Sequence, residues 1–252
     1  MLFAVDIGNS RTKIALCEQF GQLYEQGAAR RFRAISSAIA VCETGETVRW
    51  GIGSVCPAKT EKIVTQIRQK RPNDTITLLR PHDIPLKTGL DCPEKAGMDR
   101  LLAAYAAVCW KRNRREDAHR PMLLCDLGTA ITVDLVSPDD VFLGGAILPG
   151  MKLAAKSLRW GTAQLPKMES FGMSPFPGKN TVDAIRAGVF NGAVGSIRRF
   201  YDLAASKFPA KPLLLLTGGD AEAVFPEIGR ELPAFFLPNL VLDGIFEVIS
   251  AS

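Results

Sequence analysis

Met1-Leu2-Phe3-Ala4-Val5-Asp6-Ile7-Gly8-Asn9-Ser10-Arg11-Thr12-Lys13 opens the chain, and its reading decides the fold. Residues 2–5 form a short apolar run, rich in strand-favouring types and closed by a turn signal, which reads as a buried strand. Asp6 falls at the end of that strand, and Gly8 lets the backbone turn tightly where a Cβ would obstruct. Backbone N–H groups and hydroxyls from Gly8 to Thr12 suit a phosphate, and Lys13 adds positive charge. The stretch is therefore a candidate nucleotide-phosphate loop with an acid placed to hold a cation. It is not a Walker loop, because the G-x-x-x-x-G-K-[ST] spacing is missing. Taken alone, it reads equally well as a β-hairpin with polar turn residues.

A second copy of the pattern separates these readings. Met122-Leu123-Leu124-Cys125-Asp126-Leu127-Gly128-Thr129-Ala130-Ile131-Thr132-Val133-Asp134-Leu135-Val136 aligns without gaps on residues 2–16. Asp6 falls on Asp126, Gly8 on Gly128 and Thr12 on Thr132, so polarity matches as well as hydrophobicity. A strand–acid–turn–strand unit used twice, once per half, is a far more specific signal than either copy.

The remaining chain fits two α/β halves. After the opening hairpin, residues 23–30 read as a third strand, 32–42 as a helix, 47–56 as a strand, 60–71 as a helix and 75–79 as a short strand. Pro81, Pro85 and Gly89 mark a long irregular connection, and residues 100–111 have the apolar spacing of a helix. The basic, polar stretch 111–120 reads as the link, dividing the chain into residues 1–115 and 116–252. In the second half, residues 142–150 are the expected third strand, with Gly144 and Gly145 permitting close backbone approach. Helices are expected over 151–158, 181–206, 221–225 and 240–249. The run 213–216 is a buried strand breaking into the turn Thr217-Gly218-Gly219.

Composition narrows the function classes. The chain has 252 residues, 47% hydrophobic and 23% charged, as in a globular protein, and a formal net charge of +5. That mild charge suits anionic small molecules such as ATP. The one dense basic run, at 111–115, is followed at once by Glu116 and Asp117, so no nucleic-acid patch is expected. The six cysteines form no C-x-x-C pair, and several sit in apolar runs, as expected of reduced thiols in a cytoplasmic protein. The N-terminus reads as a strand and not a signal peptide, and no apolar run approaches the ~18 residues of a membrane span.

Two strand–Asp–Gly turns and a late strand ending in Thr217-Gly218-Gly219 resemble the actin-like ATPase fold. That resemblance implies two ribonuclease H-like domains, with mixed sheets flanked by helices and ATP in the cleft between them. Pro93-Glu94-Lys95-Ala96-Gly97-Met98-Asp99-Arg100 narrows the resemblance, being similar to the P-x-x-L-G-x-D-R signature of type III pantothenate kinases. Asp6-Ile7-Gly8-Asn9-Ser10, Asp126-Leu127-Gly128-Thr129-Ala130-x-Thr132, Gly144-Gly145-Ala146-Ile147-x-Pro149-Gly150 and Gly178-x-x-Thr181-x-x-Ala184-Ile185-x-x-Gly188 match that family's other motifs in order.

The resemblance implies ATP-dependent phosphorylation of the primary hydroxyl of pantothenate, the first step toward coenzyme A. Asp99 matches the catalytic base, and the residues from Asp6 through Lys13, with Thr129, match ATP contacts. Leu90, Gly97, Met98, Asp99, Arg100 and Thr181 fall at substrate positions, Arg100 as the fork for an anionic group. Asp6 is the expected centre for Mg²⁺, through water, and Asp126 matches the residue that holds a monovalent cation, K⁺ or NH₄⁺. A homodimer is implied, with the pocket completed at its interface. Leu90 stands where the family usually has tyrosine, and Ala96 replaces its leucine or valine. Plainer roles stand beside these: a helix N-cap for Asp99 and for Thr181, a surface ion pair for Arg100, solvent for Lys13. Two rival functions share the scaffold, a non-catalytic regulatory protein and a kinase of another small molecule.

Overall fold

The computed structural model describes residues 1–17, 30–42, 46–168 and 172–251. The chain divides into two compact units, one of Met1–Arg115 with Asn239–Ser252, the other of Glu116–Pro238.

The first unit is built on β1 (Leu2–Ile7), β2 (Thr12–Cys17), β3 (Arg30–Phe32), β4 (Arg49–Ser54) and β5 (Thr75–Leu78), in the order β3-β2-β1-β4-β5. β2 is antiparallel to both β1 and β3, whereas β1, β4 and β5 run parallel. β1 takes the centre because all six of its residues are buried, the behaviour of a strand covered on both faces. Phe3 stacks on Trp50 across β1 and β4, with centroids 4.4 Å apart. The carboxylate of Asp74, just before β5, accepts from Trp50 Nε1 at 2.8 Å, the Val48 amide at 3.1 Å and Arg71 Nε at 3.0 Å. Burial alone would raise that carboxyl. The Arg71, Trp50 and Val48 bonds outweigh burial and hold it below the usual carboxylate range.

Three helices follow the strands: α1 (Ile35–Ile39), α2 (Pro57–Lys70) and α3 (Met98–Arg112). The expected helix over 32–42 is shorter than its composition suggested. Phe32 belongs to β3, opposite Ile14, and turns its ring into the core. The expected strand over 23–30 lies outside the described residues except for Arg30. A two-residue strand, β6 (Lys87–Thr88), interrupts the irregular connection.

The second unit repeats the scheme with β7 (Met122–Leu127), β8 (Ala130–Val136), β9 (Val141–Pro149), β10 (Leu213–Thr217) and β11 (Ala234–Phe236). These strands lie in the order β11-β10-β7-β8-β9, with β8 antiparallel to both neighbours and β7, β10 and β11 parallel. β7 is thus the counterpart of β1, as the internal repeat implied. The close approach expected at the paired glycines is real, since a Cβ on Gly145 would overlap the Val133 carbonyl. Helices α4 (Met151–Gly161), α5 (Thr181–Ala205) and α6 (Ala221–Ile228) complete the unit. The short strand β11 was not anticipated, because three residues after Pro233 carry no readable period.

The last helix, α7 (Leu240–Ser250), corrects the expected domain boundary. Chain order places residues 239–252 in the second half, but α7 packs on α3 and β1 of the first unit. Gly244 permits this: a Cβ there would run into the Leu102 carbonyl of α3. Ile245 and Ile249 cover Gly51, and Arg49 donates to the Ile249 carbonyl at 2.7 Å. Residues 240–249 are all buried, as for a helix covered all round. Among the described residues no helix is long and apolar enough to cross a membrane.

Burial of α7 includes Asp243, which is 2% exposed. Its Oδ1 has no hydrogen-bond partner among the described residues. Burial, then repulsion from Glu247 one turn on, pushes its carboxyl up to about 8, against the opposing pull of Arg31. An unfolded aspartate titrates near ~3.9. Between the two values the folded chain holds a proton that the unfolded chain has released, so stability falls as pH rises through that window. The melting temperature is expected to drop between about pH 5 and about pH 8, and Asp243→Asn to flatten that slope. An unchanged slope in the variant, followed by calorimetry, would show that another group governs it.

Candidate active site

The first phosphate-loop candidate lies where β1 ends. Asp6 pairs in register with Lys13 on β2 and Gly53 on β4. A carboxylate survives on this central strand because it stands next to the strand's last residue, where the sheet opens to solvent. Lys13 Nζ lies 3.9 Å from Asp6 Oδ2, so Lys13 balances the acid and does not simply face solvent. Gly8 N–H donates to the Arg11 carbonyl at 3.0 Å, closing the turn. Asn9, Ser10 and Arg11 are exposed at its tip, and Gly8, Thr12 and Lys13 are half-buried. Ile7 is a core residue, so only its backbone is available to a nucleotide. Lys59 Nζ also reaches this turn, donating to the Gly8 carbonyl at 3.2 Å and the Asn9 carbonyl at 2.6 Å. Nothing in the sequence marked Lys59, which lies far along the chain in the first turn of α2.

The same end of the first unit carries Asp99. It is the second residue of α3, and Gly97 occupies the N-cap position, so Asp99 is not the cap residue that a plain reading would make it. Its Oδ1 accepts from the Arg100 amide at 2.9 Å, satisfying one of the first-turn N–H groups that have no intrahelical acceptor. Among the described residues its Oδ2 carries no hydrogen bond. Leu102, one turn further on, abuts Gly53, the neighbour of Asp6 in the sheet. Asp99 and Leu102 share a helix face at i, i+3, which brings Asp99 to the β1 end of the unit. Arg100 is half-buried and Met98 buried, with its side chain in the packing. Leu90 is half-buried in the irregular stretch before the signature.

In the second unit Asp126 pairs with Thr132 on β8 and Thr217 on β10. Gly218 has φ +96°, and a Cβ there would collide with Asp126 Oδ1 and the Leu127 backbone. This is a position for glycine on both counts. The Asp220 amide donates to the Leu127 carbonyl at 3.0 Å, and the Gly150 amide to the Thr129 carbonyl at 3.1 Å. The Asp126 turn, the Pro149-Gly150 corner and the Thr217-Gly218-Gly219 turn, far apart in sequence, therefore converge. Thr129 is exposed. Thr181 is the exposed first residue of α5; the cap is Asn180, whose side chain accepts from the Asp183 amide at 2.9 Å.

The residues fit ATP with a hard cation. Among the described residues no group of three or more His, Cys, Asp or Glu forms a metal cage. Mg²⁺ needs none, since it is commonly held by one or two carboxylates together with water and substrate phosphates, and Asp6 supplies such a carboxylate.

Comparison with known proteins agrees with the geometry. A sequence profile of type III pantothenate kinases matches residues 2–203. A type III pantothenate kinase of Alkalilimnicola ehrlichii is 33% identical over 257 residues, covering 98% of this chain and 97% of that protein. A solved structure described as a Baf family transcriptional activator from Campylobacter jejuni superposes with a TM-score of 0.60 at 21% identity, covering 99% of this chain and 97% of that one. Another, described as a 2-dehydro-3-deoxygalactonokinase from Sinorhizobium meliloti, gives 0.55 at 13% identity, covering 100% and 99%. At such low identity these two likenesses concern the fold, which is the actin-like ATPase and sugar-kinase fold.

Proposed function

The chain belongs to the type III pantothenate kinase family, and from that premise we propose how its own residues carry out the reaction. The activity is that of an ATP-dependent kinase acting on pantothenate in coenzyme A biosynthesis, with Mg²⁺ accompanying ATP. One observation supports the catalytic assignment best: the Asp99 carboxylate is pinned through Oδ1 to the Arg100 amide, while Oδ2 has no bond among the described residues. The pinned oxygen fixes the carboxylate's direction and the other can receive a proton.

In this reading Asp99 Oδ2 takes the proton of the primary hydroxyl of pantothenate as the hydroxyl oxygen bonds to the γ-phosphorus. The bond from the γ-phosphorus to the β–γ bridging oxygen breaks, its electron pair leaving with ADP, and the proton ends on Asp99. Such transfers depend mainly on alignment and charge stabilisation. The Asp6 turn presents backbone N–H groups and hydroxyls to the phosphates, and Asp6 is the carboxylate that would hold Mg²⁺. When bound, Mg²⁺ supplies neutralisation of the phosphate charge. Asp126 would hold a monovalent cation, K⁺ or NH₄⁺, and Thr129 would contact ATP. Arg100 orients an anionic group, for which a planar guanidinium fork is suited. Leu90 offers apolar contact where the family usually has a phenol, and Thr181 offers a hydroxyl to the substrate.

A homodimer is part of the same proposal. Among the described residues, eight of the eleven exposed large hydrophobic side chains lie between Leu143 and Val182, including Trp160 at 75% and Phe176 at 85%. Exposed apolar side chains gathered in one stretch of chain are the material of an interaction surface, and a second copy is the partner we assign to it. The cytoplasm, where ATP is plentiful and thiols stay reduced, is the proposed compartment; Cys125 is buried, and burial pushes its thiol up.

Three outcomes test these assignments. Asp99→Asn should lower the rate of pantothenate-dependent ADP release by about 10²- to 10⁴-fold, the usual contribution of a general base, with ATP binding retained. Wild-type turnover in that variant would remove Asp99 as the base. Asp126→Ala should weaken the dependence of the rate on K⁺, and an unchanged K⁺ profile would move that ion elsewhere. Light scattering should find a dimer for the wild type and a monomer for Trp160→Glu; a monomeric wild type would refute the dimer.

A further inference from the structure

We propose that Lys59, which lies outside every motif of the sequence, is a phosphate-anchoring residue of the Asp6 turn. The proposal rests on the reading of that turn as the ATP site and adds to it a cation from another element.

Lys59 occupies the third position of α2, after Cys56 as N-cap and Pro57 as first residue. A cation in the first turn of a helix stands against the helix dipole, which favours negative charge there. What holds Lys59 in that place is the neighbouring turn, since its ammonium donates to the carbonyls of Gly8 and Asn9 at 3.2 and 2.6 Å. An ammonium has three donors. Two are spent on these carbonyls, and among the described residues the third has no acceptor. The two carbonyls would by themselves repel a phosphate at this edge. Lys59 covers them and leaves a positive charge and one N–H at the tip of the turn.

Lysine at a phosphate site acts as a point charge, and this one is preorganised. Thr60 Oγ1 lies 2.6 Å from Ser54 Oγ and 3.0 Å from the Cys56 carbonyl, and the Cys56 amide donates to Ser54 Oγ at 3.0 Å. The Val55 amide donates to the Ile7 carbonyl at 3.1 Å, so the corner that carries Lys59 is bonded to the strand that carries Asp6. Lys13 serves differently. It lies beside the Asp6 carboxylate, so much of its charge is offset there, whereas Lys59 faces only neutral carbonyls. Beside the exposed Arg11 at the tip, Lys59 is thus an anchored cation of the turn with charge to spare for a phosphate.

Titration calorimetry with ATP, ADP and adenosine on the full chain, alongside melting curves, tests this. Lys59→Met should weaken ATP and ADP binding by about ten- to a hundred-fold, the range for a lost charge-assisted hydrogen bond. Adenosine affinity and the melting temperature should stay near wild type, and Lys59→Arg should recover part of the ATP affinity. Wild-type ATP affinity in Lys59→Met overturns the proposal. Equal loss of ATP and adenosine affinity, or a collapsed melting temperature, overturns it too, by showing a structural role. A wild-type chain that binds adenosine but neither ATP nor ADP would instead refute the ATP reading of the turn itself.

Discussion

A carboxylate cannot lie unpaired in the middle of a strand that is covered on both faces, because desolvating the charge costs several kcal/mol. That constraint organises both units. β1 and β7 are central, buried strands, and each holds its acid just before its last residue, at Asp6 and Asp126. There the sheet gives way to a turn at Gly8 and Gly128, where a Cβ would be tightly placed, 3.1 Å from its nearest neighbour. Charge, open backbone donors and a tight turn are thus forced to one end of each sheet. The parallel neighbours β4 and β10 deliver their own C-terminal ends to the same places, Gly53 beside Asp6 and Thr217 beside Asp126.

The helices then specialise two similar sheets. In the first unit α3 begins beside the Asp6 end and brings Asp99 there, while α7 returns from the end of the chain to cover α3 and β1. This return needs a neutral or tolerated acid at Asp243 and a missing side chain at Gly244. A Cβ at Gly244 would strike the Leu102 carbonyl, and α3, which carries Asp99, would have to shift. The placement of Asp99, the proposed base, therefore depends on a helix more than a hundred residues away in the chain.

Asp99 shows how a plain structural role and the proposed catalytic one can coexist. One oxygen does what a helix-end acid usually does, accepting a first-turn amide. Because that bond uses only one oxygen, it orients the carboxylate without consuming it. Lys59 follows the same principle: two donors fix it to the Gly8 and Asn9 carbonyls and one remains. In both cases a partly satisfied polar group is held in place by its spent half.

By itself the sequence determined the central strands, the two acidic turns, most helices and the family. These rest on local signals, namely buried runs, turn residues and motif spacing, and the repeat at residues 122–136 restated the first of them. It also singled out Asp6, Asp99, Asp126 and their neighbours. Tertiary structure alone decided that residues 239–252 belong with the first unit, since α7 is buried on every side, its acids Asp243 and Glu247 included, and its sequence does not say which surface will cover it. It alone showed that Ile7 and Met98 turn into the packing and that Gly97, not Asp99, caps α3. Lys59 could be found only there, because its partners are backbone carbonyls fifty residues back. A carbonyl is present at every residue, and only the folded chain selects which ones a lysine meets.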